Sequence, residues 1–141
     1  MRPEARRSAR KDVRFEGFLT RLFEALSREI MPQMVFIECG KQSVERVEAE
    51  MAKLHSEVVV YKGTYYRKAE NVAYVVRGRS FLCAGLPSRM PFDGMDEADM
   101  VAWLCANAEF DCIGDLCMGK GLVGREAYKN GRSFVGTELN P

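Results

Sequence analysis

The sequence predicts an α/β fold, with a doubly wound sheet that includes an antiparallel hairpin. Two observations lead to this prediction: helical stripes of apolar residues alternate with short apolar strand patterns, and a Gly-rich turn separates a strand from a helix after residue 115. The chain has 141 residues, of which 47% are hydrophobic and 29% charged, a composition typical of a folded globular domain. Its net charge of +1 excludes a simple polycation, and no apolar run approaches the ~20 residues that span a bilayer.

Helices are predicted where apolar residues recur every three or four positions, and strands where short runs are rich in β-branched residues. In chain order, the predicted elements are helix 12–30, strand 34–39, helix 44–54, strands 57–61 and 71–77 of the hairpin, helix 95–108, strand 112–116, helix 122–129 and strand 133–138. Pro32 ends the first helix, Ser43 is placed to cap the second, and Gly131 closes the last. The nearly continuous apolar run 34–39 is typical of a strand buried on both faces.

The start of the chain differs in charge from the rest. Residues 1–11 contain five arginines and lysines against one glutamate. We expect a basic flexible tail over residues 1–12, or alternatively an arm that binds phosphates. Residues 13–141 are expected to form a single α/β domain. A secretory signal would require an apolar segment after the basic residues, and the sequence has none there.

The cysteines and the histidine predict neither a metal site nor a nucleophilic site. Five cysteines without a C-x-x-C pair are a poor disulfide or zinc set, so we expect buried thiols in a cytoplasmic protein with no membrane contact. His55 is the one histidine in the sequence and is expected at the surface or at the boundary of the core. A Cys–His or Ser–His–Asp set is therefore not predicted.

A cluster of aromatic and basic residues lies between the two hairpin strands. It consists of Tyr65, Tyr66, Arg67 and Lys68, with Lys62 nearby. Aromatic rings among cations suit base stacking and phosphate contact, so these residues are a candidate nucleic-acid site. The alternative is a solvated hairpin tip.

The residues with the clearest chemical pattern lie between residues 112 and 141. One strand ends at Asp115 and Leu116, glycines 119 and 121 permit a tight turn close to a ligand, and a helix follows. The next strand ends at Glu138, whose carboxylate can accept both hydroxyls of a ribose. This is the nucleoside-binding corner of a Rossmann-like sheet. The glycines also match G-x-G-x-x-G, with Glu138 lying 19 residues after Gly119, so a nicotinamide dinucleotide is a rival ligand.

The same stretch resembles the S-adenosylmethionine-binding motif of DNA amino-methyltransferases, which modify the exocyclic amino group of adenine or cytosine. That family shows Asp-Pro-Phe-x-Gly-Ser-Gly, a helix, and then Gly-Arg-x-Phe-x-Gly-x-Glu-x-Asn-Pro. Residues 131–141 match the second part over eleven positions. In residues 115–121, Leu116, Cys117 and Lys120 replace Pro, Phe and Ser. The order of elements from residue 15 to residue 108 also resembles permuted members, in which the catalytic half precedes the cofactor motif.

The resemblance implies an S-adenosylmethionine-dependent DNA methyltransferase with DNA as its partner. It implies a cofactor site formed by the turn and by the end of the following strand. The implied residues are Asp115, Cys117, Met118, Gly119 and Gly121 around the methionine part, and Glu138 on the ribose.

The family's catalytic turn has no counterpart in this sequence. That turn is Asp, Asn or Ser followed by two prolines and an aromatic residue, and no two of the five prolines are adjacent. No catalytic residue can be named, so whether the chain is an enzyme stays open. We expect a truncated, incomplete sheet, because the family places its catalytic turn before the first helix and continues beyond Pro141.

Two explanations fit the expected truncation. The chain is either a fragment of a methyltransferase or a shortened relative that serves as a partner subunit. Exposed sheet edges would favour self-association or a partner chain. A non-catalytic cofactor- or nucleotide-binding module is the alternative function, and a fragment of an NAD-dependent oxidoreductase is the third.

Overall fold

The structure is a computed structural model that describes residues 3–81, 87–116 and 121–137, with side chains from residue 14 onward. Its helices and strands follow the predicted order. They are α1 (Pro3–Ala25), which a π-helical turn (Leu26–Ile30) extends, β1 (Met34–Cys39), α2 (Val44–Leu54), β2 (Glu57–Tyr65), β3 (Lys68–Arg79), α3 (Glu97–Asn107), β4 (Cys112–Asp115), α4 (Leu122–Lys129) and β5 (Ser133–Gly136).

Helix α1 begins well before the predicted start at Asp12. Residues 3–12, which the sequence predicts as a tail, are helical, so the helix starts earlier than predicted. Pro3 suits the first turn of a helix, where a missing N–H costs nothing, and the alanines and arginines that follow are good helix formers. At the other end, Met31 adopts a left-handed conformation (φ 46°) and its N–H donates to Leu26 O at 3.0 Å, so the helix ends before Pro32 as predicted.

The described strands form two sheets, whereas the sequence predicts one. A three-stranded sheet has the order β1-β3-β2, and β4 pairs in parallel with β5. Within the described ranges, no further strand pairs with β4 or β5 to extend that pair. The predicted hairpin is confirmed, because a turn of two residues joins β2 to β3.

Burial in the three-stranded sheet differs from the prediction. The run 34–39 is an outer strand in the described sheet and is mostly half-buried, not enclosed on both faces. The central strand is β3, where Ala73, Val76 and Arg77 are fully buried. The sequence patterns of β1 and β3 do not indicate their places in the sheet. The apolar run in β1 suggests a central strand, and the mixed run in β3 suggests an outer one. A central strand can nevertheless contain a charged residue when a partner carboxylate lies next to it.

The turn of the hairpin is conformationally unusual. Tyr66 and Arg67 have φ angles of 55° and 56°, the left-handed combination of a type I′ turn. Such turns favour Asn-Gly, because a residue with a bulky side chain pays roughly 1–2 kcal/mol for this conformation. Strands β2 and β3 therefore run several residues further than predicted, and Gly63 lies within β2 instead of in the turn.

The chain divides into two compact units. The first contains Met1–Val60 and Val75–Cys83, and the second contains Tyr61–Tyr74 and Ala84–Pro141. In the first unit, apolar side chains of α1, α2 and the base of the hairpin form the core, with Leu19, Val47, Met51 and Val76 almost completely enclosed. In the second unit, Tyr61, Phe92, Met100, Cys105 and Ala127 are the most enclosed apolar residues.

A charged group lies inside the first unit. The Arg77 guanidinium, fully buried, donates to one carboxylate oxygen of Glu57 at 2.5 Å. Arg79 donates to the other oxygen of Glu57 at 3.1 Å. A carboxylate that accepts bonds from two guanidinium groups is what makes a buried arginine tolerable in the central strand.

His55 is buried in the first unit, so its expected place at the surface or at the boundary of the core is wrong. It is 8% exposed, and neither ring nitrogen has a hydrogen-bond partner among the described residues. Gly78 makes room for it, because a Cβ there would lie 2.6 Å from His55 Cδ2 and 2.5 Å from Met51 Sδ. Burial lowers the pKa of His55, since the charged ring would lose its hydration.

We expect the stability of the protein to fall as the pH drops below about 6.5, the ordinary pKa of histidine. Because burial lowers the pKa of His55 in the folded state, the unfolded chain takes up the proton first and is stabilised by it. The variant His55→Leu should lose this part of the pH dependence. Urea unfolding of both proteins at about pH 7.5 and about pH 5.5 measures it.

The His55→Leu protein is compared with the original at each pH, so that titrating carboxylates cancel in the difference. An equal loss of stability in both proteins would show that His55 does not contribute.

Candidate functional site

The described residues on either side of the predicted cofactor turn belong to the strand pair β4–β5 and to helix α4. The two strands are parallel and in register, with Cys112 opposite Ser133 and Asp115 opposite Gly136. Ligands of open α/β sheets bind beyond the carboxyl ends of the strands. The described backbone therefore has the local arrangement expected for a strand–turn–helix–strand ligand site.

Gly121 forms the entry to helix α4. Its φ is +81°, a left-handed conformation that favours glycine, and its carbonyl accepts the N–H of Arg125 at 2.9 Å. The first N–H groups of a helix have no partner within it and carry a partial positive charge. An anionic or polar part of a ligand at this end of α4 would be favoured.

Gly124 allows helix α4 to lie against β5. A Cβ at this position would meet the Phe134 ring at 2.9 Å from Cε1, closer than real Cβ contacts. Gly124 is the third glycine of the G-x-G-x-x-G match, the one that permits close packing of helix on strand. The G-x-G-x-x-G match is visible in the sequence, but the packing of Gly124 against Phe134 is visible only in the structure.

Arg132 ties the start of β5 to the segment that precedes β4. Its guanidinium donates to Ala108 O at 3.0 Å and to Phe110 O at 3.4 Å, and it lies over the Phe110 ring at 4.9 Å. Gly131 (φ 66°) closes α4 as predicted, because the Arg132 N–H donates to Ala127 O at 2.8 Å across the left-handed glycine. The Gly-Arg pair of the family motif thus has a structural role here.

Thr137 ties the other ends of the two strands together. Its N–H donates to Asp115 O and its hydroxyl donates to Leu116 O, both at 2.9 Å. The residue that follows it in sequence is Glu138. Residue 137 is a variable position of the motif, so this contact could not be predicted from the sequence.

The structure describes some of the predicted cofactor residues and not others. Asp115 is half-buried at the end of β4, and Gly121 is at the start of α4. The other predicted residues, Cys117, Met118, Gly119 and Glu138, lie outside the described residues.

The candidate nucleic-acid residues are on the hairpin. Tyr65 ends β2, Tyr66 and Arg67 form the turn, and Lys68 begins β3. Tyr66 is 83% exposed. These four residues are therefore brought together at one tip, as the sequence predicts.

The thiols of the described residues offer little nucleophilic chemistry. Cys39 and Cys105 are buried; burial raises the pKa of the Cys39 thiol to about 11 and also raises the pKa of Cys105. Cys112 is exposed in β4, so the expectation of buried thiols fails at this residue. Within residues 3–81, 87–116 and 121–137, no three His, Cys, Asp or Glu side chains are grouped so that they could bind a metal ion. No described helix is long and apolar enough to cross a membrane.

Comparison with known proteins gives a match in structure only. No protein-family model and no curated protein sequence matches this chain. The crystal structure of M1.HpyAVI matches with a TM-score of 0.60 at 12% identity, over 82% of this chain and 75% of that one. The crystal structure of the M1.HpyAVI–SAM complex matches with a TM-score of 0.61 at 11% identity, over 84% and 76%. At such identities the likeness shows the fold, which this chain shares with a protein crystallised with SAM.

We expect Gly124→Ala to destabilise the protein by about 1–3 kcal/mol, the usual cost of overpacking. The new methyl group would collide with the Phe134 ring, which outweighs the roughly 1 kcal/mol that alanine gains as a helix former. Thermal unfolding measures the change.

Gly17→Ala is the matched control, because Gly17 also lies in a helix but its Cβ would be 3.6 Å from the nearest atom, the end of the Arg21 side chain. This variant should be more stable by about 0.5–1 kcal/mol. A gain of stability in both variants would contradict the close packing of α4 on β5.

Proposed function

We propose that this chain is an S-adenosylmethionine-binding domain of the DNA amino-methyltransferase type, with its cofactor site at the corner formed by β4, α4 and β5. The observation that carries the proposal is this corner. A parallel strand pair is tied at its carboxyl ends by Thr137, and a helix that begins at a left-handed glycine is packed on it through Gly124.

The shared fold supports the same ligand. The chain has the fold of M1.HpyAVI, for which a complex with SAM has been crystallised. Within the described residues, the sequence motif that resembles the amino-methyltransferases falls on β4, α4 and β5, which are the elements that form the corner. The sequence resemblance and the fold thus favour one ligand and one location.

Each part of the corner has a defined task in this proposal. Glu138 accepts the two ribose hydroxyls, and Asp115 with the glycine turn borders the methionine part. The N-terminus of α4 favours the negative charge of the methionine carboxylate. When bound, S-adenosylmethionine supplies the methyl group, and this chain's residues hold and orient it.

Transfer of the methyl group needs residues that this sequence does not contain. The family's polar and aromatic catalytic turn has no counterpart, since no two prolines are adjacent. We therefore assign cofactor binding to this chain, and we propose that a partner chain provides the catalytic turn if DNA is methylated. Such a partner would hold the extrahelical base by stacking and by hydrogen bonds to its amino group.

A nicotinamide dinucleotide fits the corner less well. In the dinucleotide motif the first glycine follows the strand directly, whereas residues 116–118 separate β4 from Gly119. The spacing therefore favours S-adenosylmethionine over NAD as the ligand. If the chain bound NAD and did not bind S-adenosylmethionine, NAD would become the favoured ligand.

We expect S-adenosylmethionine to bind the full chain, and Glu138→Ala to weaken that binding by about 1.5–3 kcal/mol. The loss corresponds to hydrogen bonds between a charged carboxylate and the ribose hydroxyls. Isothermal calorimetry with S-adenosylmethionine, S-adenosylhomocysteine and NAD measures the affinities.

Glu109→Ala is the control, because Glu109 is an exposed acid outside the motif and its loss changes the net charge equally. No binding of either adenosyl ligand to the folded chain would refute the proposed function. Equal affinities of the two variants would remove the ribose role from Glu138.

A further inference from the structure

The tip of the β2–β3 hairpin is built against local conformational preference. Both central residues of the turn are left-handed, although one is a tyrosine and the other an arginine. Asn-Gly would form the same turn without strain. Backbone strain of this kind clusters at active sites, ligand clamps and switch regions.

The turn is held by the segment that leads into α3. The N–H of Arg67 donates to Asp96 Oδ1 at 3.2 Å, and its guanidinium donates to Asp99 at 3.3 Å. Further down the hairpin, the N–H of Thr64 donates to Met95 O at 3.0 Å. A Cβ at Gly63 would lie 2.7 Å from the same carbonyl oxygen, so glycine permits this close approach.

Asp96 holds the hairpin turn instead of capping its own helix. It stands at the N-cap position of α3, where an aspartate side chain normally accepts a helix N–H, yet it makes no such bond. Its carboxylate instead accepts the N–H of Arg67. Helix α3 therefore lacks a side-chain cap, and the turn lacks the residues that favour its conformation. In their place, contacts with Asp96 and Asp99 hold the hairpin tip, which carries an exposed aromatic ring.

The side chains at the tip suit a nucleic-acid base with its phosphates. Tyr66 is 83% exposed, and its ring is paired with the Tyr65 ring at a centroid distance of 6.5 Å in a tilted arrangement. Lys68 directly follows the turn, and Lys62 is exposed on β2. Arg67 is largely exposed, and its pair with Asp99 is a surface ion pair, which a phosphate can replace at low cost.

We propose that this tip, residues 65–68, binds an unpaired nucleic-acid base, with Tyr66 stacked on the base and with Lys68 and Arg67 on the flanking phosphates. A base that is already unstacked exposes the face that a tyrosine needs, so single-stranded nucleic acid is the favoured partner over a duplex. This inference deepens the proposed function by naming the nucleic-acid surface, and it rests on that function only for the expectation that DNA is the partner.

The test replaces the turn by the sequence that favours it. In the double variant Tyr66→Asn, Arg67→Gly, the turn is relaxed and the ring is lost. We expect a higher midpoint of thermal unfolding together with weaker binding of a fluorescent single-stranded oligodeoxynucleotide, by about five- to a hundredfold. A merely structural turn would show the first effect without the second.

Three further measurements sharpen the test. Tyr66→Phe keeps the stacking ring and should bind within about twofold of the original. Lys68→Gln should reduce the slope of log affinity against log salt by about 0.7, the value for one phosphate contact on a single strand. A duplex of the same sequence should bind more weakly than the single strand.

The test of nucleic-acid binding at the tip can fail or succeed independently of the test of S-adenosylmethionine binding. Calorimetry with S-adenosylmethionine on the Asn-Gly variant should give the affinity of the original chain, since the variant leaves the motif of residues 112–141 unchanged. Oligonucleotide binding by a chain that fails to bind S-adenosylmethionine would refute the proposed function and keep this inference.

Unchanged oligonucleotide binding in the Asn-Gly variant, or no binding by the original chain, would overturn the inference. Loss of self-association in that variant, without a change in oligonucleotide binding, would assign the tip to a protein interface and would also overturn it.

Discussion

The close approach of helix α4 to strand β5 is the constraint on which the candidate cofactor site depends. A glycine at position 124 removes the side chain that would otherwise meet the Phe134 ring. Helix α4 can then begin at Gly121, near enough to the strand pair for a short turn to connect it to β4. A larger residue at position 124 would push the helix away from β5.

Two ties, one at each end, complete this arrangement of β4 and β5. Arg132 holds the start of β5 to the backbone before β4 through Ala108 and Phe110, and Thr137 holds the far ends together through Asp115 and Leu116. In our proposal, the motif therefore combines ligand binding with structural support. Some of its residues build the corner, and others, among them Glu138 in our proposal, are presented by it.

The order of elements could be predicted from sequence because it depends on local patterns. Apolar periodicity identifies α1 and α2, and Gly131 marks the end of α4. What could not be predicted depends on contacts distant in sequence. The burial of His55 requires the gap at Gly78, and the bond from Thr137 to Leu116 joins residues 21 apart.

The central claim is that the β4–α4–β5 corner binds S-adenosylmethionine, and amide chemical-shift mapping of the labelled chain tests it most directly. The account predicts that S-adenosylmethionine shifts the amide signals of Asp115, Leu116, Gly121 and Thr137, while that of Val47, buried in the first unit, stays in place. Shifts confined to other parts of the chain, or no shifts at saturating ligand, would contradict it.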